Sequence, residues 1–100
     1  MSEGREVWLL SGPGPRPPFA EVAQHLWGGG DFDSDGNSET PADPTWTELT
    51  VIRRPKYDER VDIDPLSEDP LVLRIASETP GLARRVAEFL ARSCGGTLNR

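Results

Sequence analysis

The hexapeptide DFDSDG at residues 31–36 combines the residue types and the spacing that open many calcium loops. In loops of the EF-hand kind, oxygen ligands stand at positions 1, 3, 5, 7, 9 and 12, and a glycine at position 6 makes the sharp turn. Counted from the first aspartate, the first five ligand positions hold Asp31, Asp33, Asp35, Asn37 and Glu39. A weak calcium-binding module through Asp31, Asp33 and Asp35 is therefore one alternative function.

The second half of the motif departs from a calcium loop. Position 12, where a bidentate glutamate is expected, is Ala42. Three glycines at 28–30 precede the motif, and Pro41 and Pro44 follow it, so helices cannot flank it as they do in an EF-hand. Aspartate, asparagine, glycine and serine also favour plain turns, because their short side chains bond the neighbouring backbone. The composition favours an acidic turn segment over a metal site.

The acidic residues are concentrated in the middle of the chain. The net charge is −6, and no lysine or arginine lies between Pro17 and Ile52, where seven acids stand: Glu21, Asp31, Asp33, Asp35, Glu39, Asp43 and Glu48. A segment with negative charges only disfavours a nucleic-acid partner and suits either a basic protein or a cation. The simpler interpretation is a solvated loop that keeps the protein soluble. With aromatic anchors added, the predicted partner-binding residues are Trp27, Asp31, Phe32, Asp33, Asp35, Glu39, Asp43 and Trp46.

No set of catalytic residues can be assembled from the sequence. His25 is the only histidine and Cys94 the only cysteine, which excludes a two-histidine metal site and an internal disulfide. In SGPGPRPP, residues 11–18, four prolines remove backbone N–H groups that a phosphate loop needs. The basic run RRPKYDER at 53–60 is interrupted by two acids and is interpreted as an ion-paired hairpin tip. The sequence therefore predicts no enzyme activity and no cofactor.

The length of 100 residues corresponds to one small domain, predicted to span 1–100 with a flexible acidic loop at 28–44. The first residues do not form the basic, apolar stretch typical of a leader, and no apolar run approaches the roughly 20 residues that a membrane helix requires. We therefore expect a cytoplasmic protein whose partners include neither membranes nor nucleic acids.

The first half of the chain predicts one strand and one helix. EVWLLS, Glu6–Ser11, has four consecutive apolar residues and is typical of a buried strand. From Pro18 to Trp27 the apolar residues fall on one helical face, at Phe19, Val22, Ala23, Leu26 and Trp27. The glycines at 28–30 end this helix, and the residues that follow them contain one large apolar side chain before Pro44, which predicts a loop.

The second half predicts three strands and a second helix. The strands are Thr45–Arg53, Arg60–Asp64 and Leu71–Ala76, and their short connections favour antiparallel pairing. Thr79 and Pro80 form a helix start, followed by an amphipathic helix that ends near Gly95. The predicted fold class is α+β, a two-layer sandwich with a four-stranded, mainly antiparallel sheet and two helices on one face, in the order β-α-β-β-β-α.

The segment LVLRIASETPGLARRVAEFLARSCGGTL, residues 71–98, resembles the strand, helix and Gly-Gly ending of small α+β immunity-type proteins of bacterial polymorphic-toxin systems. The predicted element order extends this resemblance over most of the chain. Immunity proteins of this kind are often small, acidic and without catalysis. The resemblance therefore implies an α+β fold and a role in neutralising a toxin, and it assigns no residue a function.

The leading prediction is a non-enzymatic protein-binding module that docks its acidic segment on a basic protein partner, including an immunity or inhibitor protein for a basic toxin. The alternatives are the weak calcium-binding module and a small ligand-binding protein of unknown specificity. Apolar residues on both faces of the first and last predicted strands, among them Val72 and Ala76, also leave a homodimer open.

Overall fold

The computed structural model describes residues 6–28, 31–54 and 59–99. Within these ranges the chain forms six strands and two helices. In chain order they are β1 (Glu6–Ser11), α1 (Phe19–Trp27), β2 (Phe32–Gly36), β3 (Leu49–Arg53), β4 (Arg60–Glu68), β5 (Leu71–Ser77), α2 (Leu82–Cys94) and β6 (Thr97–Asn99). Neither helix is long and apolar enough to cross a membrane.

The strands form one sheet in the order β2-β3-β4-β5-β1-β6, and every neighbouring pair is antiparallel. The fold class is α+β, as predicted, but the predicted four-stranded sheet is wrong. The described chain has a six-stranded sheet in the order β-α-β-β-β-β-α-β. The two additional strands, β2 and β6, are the short strands at the two edges of the sheet.

Strand β2 lies inside the segment 28–44, which was predicted to be a loop. The error has a physical reason. An edge strand has one neighbour, and β2 buries little, since Phe32 is its only large apolar side chain and three of its five residues are exposed. Its sequence therefore lacks the apolar alternation of a half-buried strand, and its backbone pairing with β3 decides its structure.

The predicted start of the second helix was also wrong. Thr79 was expected to cap it, whereas the residue before its first turn is Gly81, with φ 81°. The N–H of Leu82 bonds the carbonyl of Thr79 at 3.2 Å, so a turn precedes the helix. A positive φ favours glycine and interrupts the helical path, which moves the helix start beyond Pro80.

Alternate strand residues bury one face of the sheet. These residues are Leu10, Leu49, Val51, Val61, Ile63, Leu73 and Ile75, all at most 3% exposed. They form one core cluster with the apolar stripes of both helices, which contribute Val22, Ala23, Leu26, Leu82, Ala83, Val86, Ala87 and Leu90. Both helices therefore pack against this face of the sheet.

The opposite face carries a mixed set of side chains. The strand register aligns Asp35, Thr50, Asp62, Ala76 and Val7 in one row across five strands. Of the residues that suggested a homodimer, Val72 is half-buried and Ala76 is fully buried. Among the described residues, the exposed large hydrophobic side chain is Leu66, at the end of β4.

Trp46 joins the segment before β3 to the segment before α1. Its side chain is fully buried, and its Nε1 donates to the carbonyl of Pro17 at 2.8 Å. Arg16 donates two hydrogen bonds to the same segment: its Nε donates to the carbonyl of Trp46 at 2.8 Å, and its backbone N–H donates to the carbonyl of Pro44 at 2.9 Å. These three hydrogen bonds fix the end of the acidic segment against the start of α1.

We predict that Trp46→Phe lowers the free energy of unfolding by at least about 1 kcal/mol, because the Pro17 carbonyl loses its buried donor. The smaller ring also leaves unfilled volume in the core, which adds to the loss. Denaturant unfolding followed by far-UV circular dichroism measures the change. Leu66→Ala, at a side chain that is 61% exposed, is the control and should stay within about 0.5 kcal/mol of the parent. Equal stability of Trp46→Phe and the parent would contradict this role.

Candidate functional site

Residues 31–48 form the candidate site, and we call them the acidic edge. They comprise strand β2 and the connection to β3, and they hold six acids and no base: Asp31, Asp33, Asp35, Glu39, Asp43 and Glu48. The acidic edge lies at one end of the sheet, because β2 pairs with β3 on one side and is the terminal strand on the other.

The register determines which backbone groups of β2 face outward. The N–H of Arg54 bonds the carbonyl of Asp31, and the N–H of Asn37 bonds the carbonyl of Glu48, each at 3.2 Å. In an antiparallel ladder, these flanking bonds make Asp33 and Asp35 the residues whose backbone groups bond β3. The N–H and C=O groups of Phe32, Ser34 and Gly36 therefore point away from the sheet, and no described residue bonds them.

The side chains of β2 alternate between the two faces of the sheet. Asp33 and Asp35 lie on the face opposite the helices, in register with Ile52 and Thr50. Asp33 forms an ion pair with Arg54, in which Oδ1 and Nη1 are 3.0 Å apart, and both side chains are 46% exposed. Asp35 is exposed, and no ion pair to it forms within the described residues. Within the described residues, one carboxylate of β2 thus has a compensating charge at the surface, and the other has none.

Two polar side chains hold the connection between β2 and β3 in place. The side-chain carbonyl of Asn37 accepts from the N–H groups of Thr47 and Glu48, at 2.9 and 3.0 Å, which closes the base of the connection. Asp43 shapes its middle: one carboxylate oxygen accepts from the N–H and hydroxyl of Thr45, at 2.8 and 2.6 Å, and the other accepts from the N–H of Glu39 at 2.9 Å. The hydrogen bond from the Thr45 hydroxyl, followed by the two backbone N–H groups, lowers the pKa of Asp43.

A cleft opens to solvent beside β2 on the helix side of the sheet. Its volume is about 220 Å³, and it is lined by Phe19, Ser34, Asp35, Gly36, Ser38 and Leu49. The hydroxyl oxygen of Ser38 is buried and has no hydrogen-bond partner in the described structure. Apolar contact is available from Phe19 and Leu49, and polar contact from the serines and the β2 backbone.

The predicted aromatic anchors are placed differently from the acids. Trp46 was predicted to bind a partner, but its side chain is fully buried and serves the core, so it is not accessible at the surface. Trp27 is half-buried at the end of α1, and its Nε1 donates to Glu59 at 2.6 Å. Phe32 is half-buried against the core on the helix side of β2. The exposed residues of the acidic edge therefore include four carboxylates and several small or polar residues, and none of them is aromatic.

The five predicted calcium ligands do not assemble as a calcium loop would place them. Asp33 and Asp35 belong to an extended strand, whereas an EF-hand loop curls around its ion. The side-chain carbonyl of Asn37 is already engaged by two N–H groups, and the backbone N–H of Glu39 is tied to Asp43. No group of three or more acidic, histidine or cysteine side chains within the described ranges is arranged to hold a metal ion.

The two other residues considered for chemistry, His25 and Cys94, both contact neighbouring residues of the fold. His25 stacks on Phe89 with ring centroids 4.5 Å apart, and burial, followed by the charges of Arg85 and Arg92, lowers its pKa. The Cys94 thiol donates to the carbonyl of Leu90 at 3.1 Å, and burial raises its pKa. A thiol with a raised pKa is a poor nucleophile at neutral pH.

The predicted ion-paired tip at 53–60 is described only at its ends. Nη1 of Arg53 lies 3.6 Å from Oε1 of Glu59, and Arg54 forms an ion pair with Asp33. Residues 55–58, including Tyr57, lie outside the described residues.

Sequence reasoning missed two residues that position the acidic edge, Arg16 and Asn37. Arg16 stands among prolines, and no periodicity signals that it reaches residues 44 and 46. Asn37 is predicted as a calcium ligand, whereas its side-chain carbonyl accepts from the N–H groups of Thr47 and Glu48, ten and eleven residues away, which no local pattern signals.

Comparison with protein-family models, with curated proteins and with solved structures found no match to this chain.

We predict that Asp43→Ala destabilises the protein near neutral pH and that the difference from the parent shrinks in acid. Because folding lowers the pKa of Asp43 below 3.8, its contribution is present above that value and is lost as the pH falls through the folded-state pKa. Denaturant unfolding of both proteins between neutral pH and about pH 3 measures the effect.

Asp31→Ala is the matched control, since the side chain of Asp31 is exposed and accepts no hydrogen bond from the described residues. A stability difference for Asp43→Ala that is constant over the whole pH range would show that the ionised carboxylate does not hold the loop.

Proposed function

We propose that the protein is a non-enzymatic binding module that holds a basic protein partner at its acidic edge. The observation that carries the proposal is the placement of six acids and no base along residues 31–48, at a terminal strand of the sheet. Four of these acids, Asp31, Asp35, Glu39 and Glu48, are exposed. Their charges are therefore available to a partner without breaking the core.

The charges favour fast and selective association. Carboxylates of one sign at one end of a molecule attract a basic surface before contact and repel an acidic one. Asp33 supports the same role, since its pairing with Arg54 is half-exposed and such surface pairs contribute little stability. A basic side chain of the partner can replace Arg54 at small cost, whereas Asp43 is committed to the loop.

In its particular form, the proposal is an immunity or inhibitor protein that neutralises a basic toxin. Its support is the resemblance of the strand, helix and Gly-Gly ending at 71–98 to immunity-type proteins, together with the acidity of residues 31–48. An inhibitor of this kind needs a surface complementary to its target and no chemistry of its own, which agrees with the structural roles of His25 and Cys94.

The test compares two variants that remove the same number of charges. The edge variant carries Asp31→Asn, Asp35→Asn and Glu39→Gln, and the control variant carries Glu21→Gln, Glu68→Gln and Glu78→Gln. All six side chains are exposed, and none takes part in a hydrogen bond within the described structure. Each protein is immobilised, and partners from native lysate are eluted with salt and identified.

We expect a basic protein that the parent and the control variant retain and that the edge variant binds at least about 10-fold more weakly, with binding that falls as salt rises. For the particular form, co-expression of the chain should abolish the toxicity of that protein in cells. The proposal would be contradicted if no partner were recovered, or if every recovered partner bound the edge variant and the control variant equally.

A further inference from the structure

The outer side of β2 is an unoccupied hydrogen-bonding edge within the described structure. The N–H and C=O groups of Phe32, Ser34 and Gly36 point outward and have no described partner. Such a row is a template on which another extended chain can pair. The other terminal strand, β6, is only three residues long and offers a shorter row.

The cleft adds a side-chain pocket to this edge. Ser34 and Gly36, whose backbone groups point outward, also line the cleft, so the hydrogen-bonding row and the pocket adjoin. The cleft volume of about 220 Å³ exceeds the roughly 150 Å³ that holds a benzene molecule in an engineered apolar cavity. Phe19 and Leu49 supply apolar contact for one aliphatic side chain.

We propose that an extended basic segment of the partner adds to β2 as a further antiparallel strand. This inference rests on the proposed function and names how the partner is recognised. Residues of the segment that lie opposite Asp33 and Asp35 would be basic, because those side chains share the face away from the helices. The residue opposite Ser34 would be aliphatic and would enter the cleft.

The charge pattern selects a basic strand over a second copy of this chain. Pairing two β2 edges would bring the aspartates of one copy against those of the other, and like charges on adjacent strands are destabilising. Acidic side chains on an edge strand thus oppose self-association. A strand with alternating arginine or lysine meets the same edge with opposite charge. An added antiparallel strand would have the same orientation relative to its neighbour as the strands in all five existing pairs, which are antiparallel.

The test uses a synthetic nine-residue peptide in which arginine and valine alternate. In antiparallel pairing with β2, the valine amides point toward the outward groups of Phe32, Ser34 and Gly36, and the arginine amides point away. Two further peptides have the same charge and the same side chains: one is N-methylated at the valines and the other at the arginines. A fourth peptide replaces arginine with glutamate.

Binding is measured by NMR titration of the full-length protein. We expect the valine-methylated peptide to bind at least about 10-fold more weakly than the parent peptide, because it loses several backbone hydrogen bonds. The arginine-methylated peptide should keep its affinity to within about threefold, and the glutamate peptide should not bind. Ser38→Leu places a larger side chain in the lining of the cleft. This variant should bind the parent peptide more weakly, while the circular dichroism spectrum of the protein stays unchanged.

Two negative results separate this inference from the proposed function. Equal affinity of all three arginine peptides, with loss of binding to the edge variant, would overturn strand addition and leave charge-based binding of a basic partner intact. Affinity of the arginine peptides for the edge variant equal to that for the parent protein would overturn both.

Discussion

The burial of Trp46 is the constraint on which the acidic edge depends. Its indole lies in the core and donates to the Pro17 carbonyl, while Arg16 donates to the backbone carbonyls of Pro44 and of Trp46 itself. Without Trp46, this polar and proline-rich connection would have few apolar contacts to hold it against the core. With Trp46 in place, the chain enters β3 beside the start of α1, and Phe19 and Leu49 come to line the same cleft.

The acidic edge is stabilised by local hydrogen bonds and is not stabilised by neutralisation of its charges. Asn37 and Asp43 satisfy backbone N–H groups of the connection, so two polar side chains replace the regular structure that this segment lacks. Among its other acids, Asp33 alone is seen to form an ion pair within the described residues, and that pair is half-exposed. The free energy that holds the fold therefore comes from the core beneath the sheet, which leaves the edge carboxylates available for binding.

The sequence predicted the elements whose apolar pattern is strong. β1, α1, β5 and the body of α2 follow from buried runs or from one-sided helical spacing. β2 was missed because an edge strand with two aspartates carries no apolar alternation. Trp46 was predicted among the partner-binding residues because an aromatic residue in a polar segment gives no sign that its indole N–H has a partner 29 residues away. Long-range bonds of this kind have no local signature.

The candidate site was predicted in part. The acidity of the segment is a property of the sequence, and the proposal of a basic partner in place of a nucleic acid rests on it. The outward row of backbone groups depends on the register between β2 and β3, and the cleft depends on the packing of α1, so neither follows from composition. The calcium hypothesis arose from the same residues, because alternate aspartates are compatible with a curled loop and with a strand.

Amide hydrogen exchange along β2 tests the central claim most directly, because it reads each backbone group separately. In the free protein we expect alternation: slow exchange at Asp33 and Asp35, which bond β3, and fast exchange at Phe32, Ser34 and Gly36. On saturation with the arginine and valine peptide, the three outward amides should become protected and the alternation should disappear. Peptide binding that leaves Phe32, Ser34 and Gly36 in fast exchange would contradict strand addition at this edge.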